Sequence, residues 1–73
     1  MTLDAFIVKH GDFLFASIRE VFKDYTWVPG FALLLEYGDI VTNTQCSDDY
    51  DSLTVRDREL VYFLVEETVL EGV

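Results

Sequence analysis

Basic residues are scarce in this chain: five Lys and Arg stand against fourteen Asp and Glu over 73 residues, a formal net charge of −9. Affinity for nucleic acid comes largely from Lys and Arg releasing counterions at phosphates, so this balance opposes a direct nucleic-acid ligand. Cysteine is scarcer still. Cys46 stands alone and has no internal disulfide partner, and a small domain without such staples is expected in a reducing compartment, here the cytoplasm. Uncharged runs are short: the longest, Tyr25 to Leu35, has eleven residues and contains Gly30 and the single proline, Pro29. A bilayer span needs about 20 apolar residues, and no basic segment followed by an apolar run marks a leader at the N-terminus. With Met1 at one end and Val73 at the other, the chain reads as a complete small gene product with no membrane partner.

What is present is apolar and acidic at once. Hydrophobic residues make up 51% of the chain and aromatics 15%, rich for a single domain (1–73) that buries only about 60–65% of the surface its unfolded form exposes. Some Phe, Tyr, Leu and Val must therefore lie on the surface or in a contact with a partner. The charge is lopsided: ten of the fourteen carboxylates, but two of the five basic residues, lie beyond residue 30.

Residues 12–25 place apolar groups at 14, 15, 18, 21, 22 and 25, the one-face spacing of an amphipathic helix, with Asp12 as its N-cap. The preceding stretch puts Leu3, Phe6, Ile7 and His10 on a compatible face, and Gly11 is expected to separate two helices, with Lys9 and His10 in the closing turn of the first. Tyr25–Gly30 reads as a turn around Pro29, followed by Trp27's assignment to the core as a large aromatic. Phe31–Tyr37 is rich in helix formers, but Gly38-Asp39 followed by Ile40-Val41-Thr42 favours a two-residue β-hairpin. Asn43–Ser52 reads as a solvated loop. Thr54 and Asp57 form a capping-box-like pair that opens a helix through Leu70, ended by Gly72, with Leu60, Phe63 and Leu64 facing inward together with Val61 and Leu70. The expected fold class is α+β, two or three helices with a short hairpin; an all-helical bundle is the alternative.

No catalytic constellation emerges. Cys46 and His10 are the single residues of their type, on a loop and at a helix end, and read as structural. Carboxylates are plentiful, but a chain this short leaves little scaffold for a glycosidase cleft. Asp48 and Glu59 occupy the first and twelfth positions of a would-be calcium loop, yet Tyr50 stands where a third-position oxygen ligand is wanted and Leu53 where the turn asks for Gly. The chain is therefore expected to be no enzyme, with no cofactor and no metal site. Leu53-Thr-Val-Arg-Asp-Arg-Glu-Leu60 is similar to the opening helix of the helix-turn-helix of response regulators and of the promoter-reading part of sigma factors, but no recognition-helix pattern follows, so no DNA contact is assigned.

The acidic surface has two functional readings beside plain solubility. Asp48, Asp49, Asp51, Glu66, Glu67 and Glu71 can imitate a row of phosphates, as in a DNA mimic that inhibits a restriction or CRISPR nuclease. Alternatively the carboxylates rim an aromatic contact, and the partner-binding residues expected on charge and exposure are Tyr37, Asp39, Asp48, Asp49, Tyr50, Asp51, Glu66 and Glu67. A small, stapleless, strongly acidic chain without a catalytic constellation resembles the phage-encoded proteins that bind and inhibit host RNA polymerase. That resemblance implies a host partner with a basic surface, a polymerase subunit, and interference with sigma-dependent initiation. A host-encoded antitoxin-like binding module is a third reading.

Overall fold

Phe6, His10, Leu14, Ile18 and Phe22 recur every four residues and are all buried, and that unbroken spacing carries one helix, α1 (Leu3–Phe22), straight through Gly11. The expected break at Gly11 is thereby corrected. A glycine inside a helix costs about 1 kcal/mol, which the continuous buried stripe on either side of Gly11 outweighs. Thr2, not Asp12, is the N-cap: it is extended and its Oγ1 accepts the Ala5 amide at 3.2 Å, while Asp12 lies exposed in mid-helix. A strict four-residue repeat overshoots the helical turn by roughly 40° per step. The buried stripe therefore winds around α1 and faces several neighbours in turn.

The computed structural model describes residues 1–23 and 30–71. Of the expected turn over 25–30 only Gly30 is described, and it opens the next helix; the core assignment of Trp27 and the helix stop at Gly72 lie outside the described residues. Three more helices complete the element order: α2 (Gly30–Asn43), α3 (Ser47–Asp51) and α4 (Val55–Glu71). The described residues contain no strand, so the α+β expectation with its hairpin is overturned and the chain is a small all-helical domain. Leu33, Tyr37, Ile40 and Val41 are buried at helical spacing across the residues assigned to the hairpin. An isolated two-stranded hairpin is marginal in water, whereas a helix here seats four core side chains against α1 and α3.

Side chains complete the end of α2. Thr42 Oγ1 donates to the Gly38 carbonyl at 2.7 Å, Thr44 Oγ1 donates to the Ile40 carbonyl, and the fully buried Cys46 sulfur lies 3.7 Å from that same oxygen. The stretch expected as a solvated loop contains α3, whose five residues are too few and too polar to show a period. Thr54 caps α4 as expected, accepting the Asp57 amide at 3.1 Å.

The core sits between α1 and α4, with α2 and α3 closing one side. Large side chains of α1 (Phe6, Leu14, Ile18) meet small ones of α4 (Val61, Val65, Val69), all of them buried. Each contributes roughly 1.5–3 kcal/mol of burial. The expectation that Leu60, Phe63, Leu64 and Leu70 face inward is corrected: all four are exposed, and of the named set Val61 alone is core. Among the described residues, no helix is long and apolar enough to cross a membrane.

Candidate protein-binding groove

With its valines committed to α1, α4 is left with a second apolar face. Val55, Phe63 and Leu70 stand at helical spacing on that side, 69%, 57% and 62% exposed, with Glu59 and Glu66 interleaved between them. The same excess appears on α2, where Phe31, Leu34 and Leu35 are exposed on the flank away from the core. A helix of a small soluble domain normally shows one apolar stripe. Two stripes on α4 and a spare one on α2 concentrate large hydrophobic groups on neighbouring elements.

A groove of about 440 Å³ lies between α2 and α4. Tyr37, 95% buried, belongs to the core and forms its floor, and Leu34 from α2, Tyr50 from α3 and Tyr62 and Phe63 from α4 line it. The rings meet edge to face, Tyr37 with Tyr62 at 5.1 Å and Tyr37 with Tyr50 at 5.9 Å between centroids. This is the arrangement that aligns the positive edge of one ring with the negative face of the next. Tyr37 Oη donates to Tyr50 Oη at 2.7 Å and lies 3.3 Å from the Arg58 carbonyl, so α2, α3 and α4 are joined at one point. Burial first, then the Tyr50 hydrogen bond, pushes the Tyr37 phenol far above its ordinary range, and it stays neutral. Burial and then the nearby Glu66 carboxylate raise Tyr62.

Arg58 also lines the groove. Its Nη2 donates to the Asp51 carbonyl at 2.8 Å, tying α4 to the end of α3, and its guanidinium lies 5.9 Å from the centre of the Tyr50 ring. Val55 and Glu59 complete the lining.

The residues expected from the sequence to bind a partner fall into three sets. Tyr37 and Tyr50 are in the groove, as floor and wall, and Glu66 lies close enough to Tyr62 to act on its titration. Asp48 and Asp51 are exposed on α3, while Asp39 and Glu67 are exposed on α2 and α4 and do not line the groove. Asp49 is turned inward: its Oδ2 lies 2.7 Å from His10 Nε2 and 2.9 Å from Lys9 Nζ. Those two partners, His10 first, hold its carboxyl below the usual carboxylate range. It is a structural clasp between α1 and α3, and His10, buried against Phe6 with ring centroids 5.1 Å apart, is the other half of it.

Leu34, Val55, Arg58, Glu59, Tyr62 and Phe63 were not anticipated as site residues. For Val55 and Phe63 the signal was available: the 61/65/69 valines and the 55/63/70 set cannot face one core from a single helix. Among the described residues no three His, Cys, Asp or Glu side chains gather in a way that would hold a metal ion. The chain matches no family model, no curated protein and no solved structure.

Proposed function

We propose that this protein is a non-enzymatic binding module that docks on a basic protein surface through the apolar faces of α2 and α4 and the aromatic groove between them. The observation that carries this reading is the second apolar stripe of α4, exposed beside that of α2 and interleaved with carboxylates. Apolar anchors in a pocket supply most of the affinity of an interface, and a polar rim supplies specificity and association rate. A DNA mimic wants its charges in an exposed row; here Asp49 is engaged internally and the groove lining is mostly apolar and aromatic, which favours a protein contact. The partner we propose is bacterial RNA polymerase, from the resemblance to phage-encoded inhibitors, with the effect of reducing transcription initiation.

Purified polymerase titrated with the protein tests this reading. Binding should weaken as salt rises from about 50 to 200 mM, because the acidic rim is screened, and saturating duplex DNA should leave it unchanged. Displacement by DNA would replace this reading with the mimic. Absence of binding would remove the polymerase as partner.

A further inference from the structure

The groove also constrains what its occupant looks like, on the reading that it is the docking surface. Few polar groups line it. Arg58 Nη2 is taken by the Asp51 carbonyl, and Tyr37 donates to Tyr50; what remains is a few side-chain groups, the Tyr62 hydroxyl, the Glu59 carboxylate and Arg58 Nε, which is buried with no partner. These are too few to pair the run of N–H and C=O groups that an extended peptide would bury there, and each group left unpaired costs about 1–3 kcal/mol. The described residues present no sheet edge onto which a strand might add. A helix satisfies its own backbone and meets the groove with side chains alone.

The length and charge of the site select the helix further. The exposed stripe from Val55 to Leu70 runs for about 22 Å along α4 at 1.5 Å per residue, enough for four turns of a partner helix. The groove volume of about 440 Å³ lies in the size range of ligand-binding clefts, room for large apolar side chains. Glu59 and Glu66 stand on the same side of α4 as Phe63 and outnumber the one exposed base there, Arg56, and the chain carries a net −9, so a second acidic copy is repelled and basic flanks are attracted. We infer that the groove between α2 and α4 receives an amphipathic helix of the partner, its apolar side chains seated over Tyr37 and its Lys or Arg side chains set against Glu59 and Glu66.

The test uses three synthetic 18-residue probes and the intact protein. One is a Leu/Lys helix with leucines at i, i+3, i+4 and i+7; the second keeps those leucines and replaces Lys with Glu; the third has the composition of the first, scrambled and interrupted by proline so that no helix forms. The Leu/Lys helix should bind at least ten-fold more tightly than either control, and Phe63→Asp or Leu34→Asp, both at exposed positions that leave the core intact, should each lower its affinity at least ten-fold. Equal binding of the scrambled peptide would reduce the effect to charge attraction or point to an extended occupant. A dimer of the protein alone in sedimentation, abolished by Phe63→Asp, would assign the groove to a second copy. Either result overturns the inference, as does unchanged binding by both variants. If the helix fails to bind while Phe63→Asp still weakens polymerase binding, the docking surface stands and only the helical occupant is lost.

Discussion

Asp49 shows how one carboxylate among fourteen acquires a fixed role. Its neighbours Asp48 and Asp51 are exposed, whereas Asp49 accepts from His10 and Lys9 across the α1–α3 contact. Because its folded-state pKa is held below the unfolded value, the stability it contributes is fully present above about pH 4, the ordinary carboxylate range, and is lost as pH falls through the depressed folded value. Asp49→Asn should therefore melt at a lower temperature than the wild type at pH 7, and the gap should narrow as pH falls below the ordinary carboxylate range and Asp49 is protonated. A melting-temperature difference that does not change with pH would show that the ion pair contributes nothing and that only the shape of the side chain matters. Sequence alone gave no reason to separate Asp49 from Asp48 and Asp51, because the distinction arises from contact with residues 39 positions away.

Elements differ in how openly their sequence announces them. The start of α4 was legible because Thr54 and Asp57 have the spacing of a cap and the structure uses it. Its orientation was not: two stripes of apolar residues share the helix, and the bulkier one, Leu60, Phe63, Leu64 and Leu70, was assigned to the core that the smaller valines in fact occupy. The valines, and not the bulkier set, pack with Phe6, Leu14 and Ile18 of α1 in the close-packed core. In α2, Gly38-Asp39 and the β-branched Ile40, Val41 and Thr42 are local preferences for a turn and a strand, overridden by the burial of Leu33, Tyr37, Ile40 and Val41 on one helical face. Gly38 separates the two conformations experimentally. Its position has no neighbour within 4 Å of where a Cβ would stand and no left-handed backbone, so Gly38→Ala should stabilise the protein by about 0.5–1 kcal/mol in chemical denaturation. A hairpin turn there would instead make alanine destabilising.

At the scale of the whole molecule, the few cations are largely engaged. Lys9 pairs with Asp49, Lys23 with Glu20 at 2.8 Å, and Arg58 is bonded to the end of α3. Beyond residue 30 two bases, Arg56 and Arg58, stand against ten carboxylates, so the second half keeps a net acidic field around an apolar, aromatic groove, which pairs long-range attraction for a basic partner with short-range anchoring sites. The composition had signalled both parts, an excess of aromatics and an excess of acid; the groove itself was invisible because its lining comes from separate helices, one of which read as a hairpin. Val8 provides an internal control, since it is 86% exposed on α1 and lies outside the groove.

The affinity of purified RNA polymerase for the wild type, Phe63→Asp and Val8→Asp, measured side by side with each variant's helicity, bears most directly on the groove as the contact surface. The expected result is a loss of about 30-fold or more for Phe63→Asp, the scale of an interface hot spot, no change for Val8→Asp, and unchanged helicity in both. Equal affinities for Phe63→Asp and wild type, or a loss confined to Val8→Asp, would contradict it.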